Sequence, residues 1–409
     1  MAKTSELKFC INELYQKGEE LNPKQYILKN LMLLIIISLL VSLIGCTGNN
    51  KVETGNPKPF LTLNPPPDIN SAKTLYDSGW VSSPPIPPKQ RSDKEFNQLE
   101  KKLSWFHKAK YGLFFHFLAP EEDCTPQKWN KMVNAVDVEK FANQVKETGA
   151  GYVVLTLGQN QLYSCAPNPV LEKLWELKPD TYISDRDLPM EVYNALHKRG
   201  IKLMLYIATD TQYGLPSPPG FTRATDRFEN WLKVVEWYSD HYGTCCLGWW
   251  TDGLDQDWTF DYRSRMHDAL KHGNPDAIVA SSSYGLSEFT HGHCDSDWEG
   301  QQRYRKPYYG RWDPTYKIQW HVLQYLGHYW ATMDTAHSKK SIVAYAVDVV
   351  KGGGVITFDI GTCKMVNAKH TETLLEIPDG QMVQLLSVRD ALKKIKASDG
   401  SGKKNILDF

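Results

Sequence analysis

The chain has 409 residues, enough for one large domain or two ordinary ones. Its 47 basic and 47 acidic residues cancel, and no long basic run occurs, which argues against a nucleic-acid partner. Aromatic residues make up 12% of the chain, including 13 Trp, enough for a large core and for rings that stack on sugars. The Cys and His residues show no zinc-site spacing, which argues against a metal site. Neither a metal ion nor an organic cofactor is expected.

An apolar run near the start, Leu31–Gly45, predicts an export signal. The run is short for a membrane span, and Lys24 and Lys29 supply a positive flank. Cys46 follows directly, as in the lipobox of bacterial lipoproteins, whose cysteine is lipidated after cleavage. We therefore expect residues 1–45 to be a signal peptide and a lipid anchor to hold the protein in a bacterial cell envelope, in the periplasm or at the outer-membrane surface. An ordinary secretory signal or membrane anchor is the alternative.

Residues 46–92 are rich in Pro, Asn, Ser and Lys, with proline tracts at 65–67 and 84–88. Such a composition buries little apolar surface and predicts a disordered tether that is stiff in its proline tracts. We expect the ordered domain to span residues 93–395 and residues 396–409 to form a flexible tail.

Helix and strand patterns alternate from Asp93 onward, with Asp93 as the expected N-cap of the first helix. Apolar residues at helical spacing predict helices over residues 94–108, 138–148 (capped by Asp137), 188–199, 227–241, 262–272 and 341–351. Short apolar runs predict strands over residues 111–117, 151–157, 202–208, 246–252, 277–283 and 354–360, with another near 293–298. Residues 319–333 are ambiguous, and one or two closing helices are expected after residue 365.

The alternation of strand and helix predicts a parallel sheet. Residues 110–360 match the usual size of an eight-fold strand–helix barrel, roughly 250 residues. A doubly wound open sheet is the rival, but it normally has a glycine-rich phosphate turn after its first strand, and this strand ends in His116-Phe117. The sequence therefore predicts an α/β fold, a (β/α)8 TIM-type barrel that forms a single catalytic domain.

The most informative strand is the one predicted over residues 246–252. Strand alternation places Gly248, Trp250 and Asp252 on one face, with the carboxylate at the carboxyl end, where barrel enzymes hold their catalytic groups. Polar side chains also gather at the ends of the other strands: His116, Gln159, Asn160, Gln161, Tyr206, Asp297, Glu299 and Asp359. Glycoside hydrolysis needs one carboxylate as nucleophile or base and a second carboxyl as acid, so this set favours a glycosidase that acts on a carbohydrate.

Several stretches resemble the α-L-fucosidase family of glycoside hydrolases over roughly residues 100–360. They are WFHKAKYGLFFHF at 105–117, FANQVKETGAGYVVLT at 141–156, DLPMEVYNALHKRGIKLMLY at 187–206 and WWTDG at 249–253. The resemblance implies a barrel in which Asp252 is the nucleophile of a retaining double displacement. It also implies that the substrate is a terminal α-L-fucose or a related sugar.

The chain departs from the family in the sugar-binding and acid/base positions. Two sugar-binding histidines of the family are replaced by residues of the Gln159-Asn160-Gln161 stretch, whose amides can still bind hydroxyl groups, and a family Trp is replaced by Phe117. The acid/base position varies within the family, and we expect Glu299 in that role, with Asp297 second. The expected sugar-binding residues are His116, Gln159, Asn160, Gln161, Tyr206, Trp250, Asp297 and Trp298.

Two alternatives to a retaining fucosidase follow from these departures. One is a non-catalytic barrel that binds glycans, and the other is an inverting glycosidase with a different sugar specificity. Carboxyl groups about 5 Å apart would favour retention, and a separation of about 6.5–9.5 Å would favour inversion. In an exported chain, Cys124 and Cys165 are a candidate disulfide pair.

Overall fold

The structure is a computed structural model that describes most of residues 92–399. Gaps fall at residues 121–123, 160–162, 175, 178–181, 209–223, 253–259, 281–286, 291–310, 313–316 and 367–368. The predicted signal peptide, Cys46, the tether and most of the tail therefore lie outside the described residues. Within the part that is described, no helix is both long enough and apolar enough to cross a bilayer.

Helices and strands alternate along the described chain. The helices are α1 (Asp93–Ala109), α2 (Pro126–Asn134), α3 (Val138–Thr148), α4 (Pro169–Leu174), α5 (Leu188–His197), α6 (Ala224–Tyr242), α7 (Phe260–Leu270), α8 (Lys339–Lys351) and α9 (Asp379–Asp399). The strands are β1 (Tyr111–Phe115), β2 (Tyr152–Thr156), β3 (Lys202–Ala208), β4 (Cys246–Asp252), β5 (Ile278–Ala280), β6 (His321–Tyr325), β7 (Val355–Ile360), β8 (Cys363–Val366) and β9 (Lys369–Thr373). The bounds of α3, β3 and β4 coincide with the predicted ones.

Seven of the described strands form one parallel sheet in the order β5-β4-β3-β2-β1-β7-β6. Neighbours in the sheet follow the order of the chain, and β1, the first strand of the sheet, pairs with β7, its last strand. This pairing places Phe114 opposite Asp359. A doubly wound sheet would instead reverse its strand order near the middle. The order is that of a TIM-type barrel, which confirms the predicted fold class.

A short segment, residues 287–290, joins the two edge strands of the sheet. The amide of Glu288 donates to the carbonyl of Val279 in β5 at 2.9 Å, and the amide of Thr290 donates to the carbonyl of Gln319 at 2.9 Å. Gln319 lies two residues before β6, so the segment occupies the sixth strand position and completes the ring. The sixth strand predicted near 293–298 lies outside the described residues.

The inward face of the strands holds a closely packed aromatic core. A Cβ atom on Gly112 would lie 2.2 Å from the Tyr152 ring, and one on Gly248 would lie 2.9 Å from Cγ1 and 3.0 Å from the carbonyl oxygen of Ile278, so neither position has room for a larger residue. The buried inward residues include Phe114, Tyr152, Met204, Trp250, Ile278, Leu323 and Val355. This pattern confirms that Gly248 and Trp250 share the inward face of β4, while Trp249 packs in the layer between the strands and the outer helices.

Helix α1 closes the end of the barrel at which the strands begin. Its buried residue Phe106 lies 5.0 Å from Tyr152 and 5.7 Å from His321, measured between ring centroids, and these are the first residues of β2 and β6. The predicted N-cap Asp93 is wrong by one residue. Ser92 is the cap, because its side chain accepts from the amide of Glu95 while the Glu95 carboxylate accepts from the amide of Ser92 in a capping box.

The closing segment and two helices, α2 and α4, differ from the prediction, which includes neither helix. An antiparallel hairpin of β8 and β9 precedes α9, where only helices were expected. The hairpin sequence is mostly polar and offers no run of apolar residues to detect. Helix α2 was also missed, although its start carries clear signals: Thr125 accepts from the amide of Lys128, and Pro126 is the first helical residue.

The predicted disulfide between Cys124 and Cys165 is wrong, because both residues are free thiols. Cys165 is fully buried, and its thiol donates to the carbonyl of Thr156 at 3.3 Å. Cys124 is partly exposed at the start of α2. Burial raises the pKa of the Cys165 thiol, which keeps it protonated and inert near neutral pH.

A buried ion pair lies where the ring closes. The Glu288 carboxylate contacts the ammonium group of Lys271 and also accepts from the amide of Val279 at 2.7 Å. Burial alone would raise the pKa of Glu288, but Lys271 and His267 outweigh it and hold that pKa below its ordinary value. The pair therefore stabilises the closed ring only while Glu288 is ionised.

We expect Glu288→Gln to lower the free energy of unfolding by about 3 kcal/mol at neutral pH, because Lys271 stays buried without its counter-charge. The matched control is Glu229→Gln, which breaks an exposed ion pair with Arg265 and should cost less than about 1 kcal/mol. Urea denaturation followed by circular dichroism measures both values.

The folded-state pKa of Glu288 is depressed, so its contribution is fully present above the ordinary glutamate pKa of about 4.3. The contribution is lost as the pH falls from there toward the folded-state pKa. The difference in free energy of unfolding between wild type and Glu288→Gln should therefore become smaller at acidic pH. Equal costs for the two variants, or a gap that does not change with pH, would contradict this account of the ring closure.

Candidate active site

Four polar side chains converge at the carboxyl end of the barrel. His116 follows β1, Tyr206 lies in β3, Asp252 ends β4 and Asp359 lies in β7. Each belongs to the inward-facing set of its strand, so ring closure brings them to the same opening. Barrel enzymes hold their active sites at this end.

Asp252 is held by a hydrogen bond from the neighbouring strand. The Tyr206 hydroxyl donates to Oδ2 of Asp252 at 3.0 Å. Strand register makes this contact, because Tyr206 lies opposite Trp250 and its side chain reaches two residues further along β4. The carboxylate is partly exposed at the barrel mouth, whereas Tyr206 is 2% exposed. A carboxylate that is held by a fixed donor and has access to solvent can attack an electrophile from a defined direction.

His116 lies in an aromatic enclosure that includes Tyr206, the residue that donates to Asp252. Its ring stacks on Phe114 with centroids 4.1 Å apart, and the edges of Tyr206 and Trp330 approach it at 5.7 and 5.2 Å. Nδ1 of His116 lies 2.5 Å from Oδ1 of Asp359. The enclosure fixes the imidazole in one orientation at the mouth.

Trp250 forms the floor of the site. It is 1% exposed, and its ring packs against Phe114 at 5.4 Å and His321 at 5.2 Å. The structure therefore places Trp250 beneath His116 and Asp252, where it supports them, and leaves it little surface for the sugar contact that the sequence predicts.

Gln159 lies at a small pocket between the ends of β2 and β3 and helix α6. The pocket is also lined by Leu157, Tyr163, Trp231 and Tyr238. The other residues expected to bind the sugar or to act as acid, Asn160, Gln161, Asp297, Trp298 and Glu299, lie outside the described residues. The distance from Asp252 to either predicted acid, Glu299 or Asp297, therefore also falls outside the described residues.

Two members of the site were not predicted as site residues. Asp359 was noticed only as a strand-end acid, and Trp330 falls in the ambiguous region 319–333. A signal for Asp359 was present, since the first and last strands of a closed barrel are neighbours and the polar residues at their ends must meet. Trp330 carries no such signal, because it lies in an irregular loop after β6.

The described part of the site is suited to carboxylate chemistry on a neutral, partly apolar ligand. It combines an oriented carboxylate, an imidazole, a phenol and aromatic walls. Over the described residues, no three His, Cys, Asp or Glu side chains come together in a group that could hold a metal ion.

No protein-family model matches the chain, and no curated protein matches it. Solved structures do. The endo-fucoidan hydrolase MfFcnA4 from glycoside hydrolase family 107 is similar with a TM-score of 0.59 and 14% sequence identity, over 75% of this chain and 55% of that one. The endo-fucoidan hydrolase MfFcnA9 of the same family is similar with a TM-score of 0.58 and 17% sequence identity, over 73% of this chain and 65% of that one.

The α-L-fucosidase AlfC from Lactobacillus casei, in complex with α-L-fucose, gives a TM-score of 0.51 and 15% identity, over 73% of this chain and 99% of that one. The chain thus spans between half and two thirds of the length of the two endo-fucoidan hydrolases. Its structural neighbours include α-L-fucosidase and endo-fucoidan hydrolases, and their similarity confirms the barrel fold that the family resemblance implied.

Proposed function

We propose that the protein is a glycoside hydrolase that cleaves α-L-fucosides or glycosides of a related deoxy or neutral sugar. The observation that carries the proposal is the position of Asp252, a partly exposed carboxylate at the carboxyl end of β4. It accepts a hydrogen bond from Tyr206, whose ring centroid lies 5.7 Å from that of His116. The names of the structural neighbours, a fucosidase and two endo-fucoidan hydrolases, support the same choice of sugar.

The reaction we propose is a double displacement. Asp252 attacks the anomeric carbon, and the bond from that carbon to the leaving oxygen breaks as a second carboxyl group donates its proton to that oxygen. The same second group, now ionised, takes a proton from water, which attacks the anomeric carbon and releases the sugar from Asp252. Glu299 remains our candidate for this group, with Asp297 second.

The described residues have separate roles in this scheme. Tyr206 binds one oxygen of Asp252 and so orients the carboxylate for attack. His116 binds a sugar hydroxyl, and the rings around it offer apolar surface to the deoxy or ring carbons of the sugar. The aromatic floor excludes water from below.

The substrate can be a terminal fucose or a position within a polymer, and the two can be compared directly. The family resemblance favours a terminal fucose, whereas two neighbours act, by name, within a fucoidan chain. A panel that includes an aryl α-L-fucoside, a fucosylated oligosaccharide and a fucoidan polymer separates these substrate classes.

A non-catalytic glycan-binding barrel is the second candidate, favoured by the replacement of the family's two histidines in the Gln159–Gln161 stretch.

We also propose that Cys46 is lipidated and that this anchor alone attaches the protein to the envelope membrane. The proposal is supported by the apolar run at 31–45 and the position of Cys46 directly after it.

Asp252→Asn should reduce kcat/KM on the preferred fucoside by at least about 10³-fold, because an amide cannot act as the nucleophile. Asp268→Asn, which changes an exposed acid on α7, is the matched control and should leave the rate unchanged. With Asp252→Gly, added azide should restore turnover and give a glycosyl azide of inverted configuration. Full activity of Asp252→Asn would overturn the assignment, and a wild type that binds glycan without turnover would support the binding module.

Tyr206→Phe should reduce kcat/KM about tenfold, which corresponds to the loss of one hydrogen bond to a charged group, about 1.4 kcal/mol. Tyr193→Phe on α5 serves as the control, because this ring lies on the outer helix layer against His197. A rate unchanged by Tyr206→Phe would mean that the hydrogen bond to Asp252 does not assist the reaction.

Cys46→Ser should abolish incorporation of radiolabelled palmitate and move the protein from the membrane fraction to the soluble fraction of an expressing bacterium. Fractionation followed by immunoblotting measures the shift. A wild-type protein that carries no label would contradict the anchor and leave an ordinary secretory signal.

A further inference from the structure

We propose that Asp359 is a positioning residue that fixes the tautomer of His116 and the loop carrying Trp330, so that Nε2 of the neutral imidazole accepts a hydrogen bond from a sugar hydroxyl. The inference rests on the proposed function for the nature of the ligand. It deepens that function, because it assigns the binding property of the site to a residue that the substrate does not touch.

The first support is the contact between the carboxylate and the imidazole. Oδ1 of Asp359 and Nδ1 of His116 are 2.5 Å apart, and Asp359 is 1% exposed. An ionised carboxylate can only accept, so the hydrogen must be on Nδ1, and Nε2 of the neutral ring is then an acceptor. The main chain is fixed as well, since the Thr362 hydroxyl donates to the carbonyl of His116 at 2.6 Å.

The second support is the other oxygen of the same carboxylate. Oδ2 of Asp359 accepts from the amide of Ala331 at 2.8 Å. Ala331 has a positive φ of 56°, a conformation that costs energy for a residue other than glycine and persists only where its surroundings enforce it. The carbonyl of Ala331 is held too, because the amides of Thr362 and Cys363 both donate to it at 2.8 Å.

The held loop delivers an aromatic ring to the same imidazole. Trp330 directly precedes Ala331, and its ring centroid lies 5.2 Å from that of His116. The buried Asp359 carboxylate therefore has two effects. Through Oδ1 it sets the position of the hydrogen on the His116 imidazole, and through Oδ2 it holds the backbone next to Trp330. At 1% exposure Asp359 itself has no surface for a sugar, so it acts through His116 and Trp330.

The substitution Asp359→Asn separates this role from a purely structural one. Asparagine keeps the shape of the side chain, and its oxygen can still accept from Ala331. Its amide nitrogen then donates to Nδ1 of His116, which forces the ring hydrogen onto Nε2 and turns the acceptor for the sugar into a donor. A change of one atom thus reverses the tautomer while the packing stays the same.

The experiment uses the full chain labelled with nitrogen-15 at histidine. Long-range nitrogen–proton correlation spectra should show the His116 hydrogen on Nδ1 in the wild type and on Nε2 in Asp359→Asn, with the signal assigned by its loss in His116→Ala or His116→Gln. Calorimetric titration with α-L-fucose should show at least a tenfold rise in Kd for Asp359→Asn. Asp240→Asn, which changes an exposed Asp–His pair with His272, should alter neither result.

A double-mutant cycle completes the test. In a His116→Ala background, Asp359→Asn should cause little further loss of fucose affinity or of kcat/KM, because its effect passes through the imidazole. An unchanged tautomer in Asp359→Asn, an unchanged Kd, or an equal loss in the His116→Ala background would each overturn the proposal. If the wild type neither binds nor cleaves a fucoside, the proposed function fails, and the tautomer spectra still decide whether Asp359 sets the imidazole.

Discussion

The pairing of the first strand with the last is the constraint on which the candidate site depends. It places Phe114 opposite Asp359, and two side chains that are 243 positions apart in the chain then meet as an Asp–His pair. The ring closes at a second place through the 287–290 segment, where the buried Glu288–Lys271 pair lies. Fold and site are therefore linked, because a barrel that failed to close would separate His116 from the Asp359 carboxylate.

Beneath the mouth, polar groups of the barrel interior form hydrogen bonds and its apolar groups are closely packed. Both features make the interior rigid. The hydroxyl of Thr357 is within hydrogen-bond distance of both the Tyr152 hydroxyl and Nε2 of His321, at 2.7 Å each. This network adjoins the aromatic floor of Trp250 and Phe114. A reacting carboxylate must keep its direction of approach within narrow limits, and this packed, hydrogen-bonded network provides the support for that.

Much of the fold was predictable because the signal is local. Strand β4 was placed to the residue, because its apolar, aromatic run ends abruptly in Asp252 and Gly253. The hairpin after β7 and the loop of Trp330 were not predicted, because neither contains periodically spaced apolar residues. The link between His116 and Asp359 was implicit in a closed ring, whereas the bond from Ala331 to Asp359 depends on loop geometry that sequence patterns do not encode.

In the proposed reaction, Asp252 forms a covalent bond with a fucose-like sugar. The most direct measurement is to incubate the protein with 2-deoxy-2-fluoro-fucosyl fluoride, which slows the second displacement, and to map the trapped adduct by peptide mass spectrometry. We expect one added deoxyfluorofucosyl group on the peptide that contains Asp252, with loss of activity in proportion to labelling. An adduct on another carboxylate, or turnover of fucosides without any adduct, would contradict it.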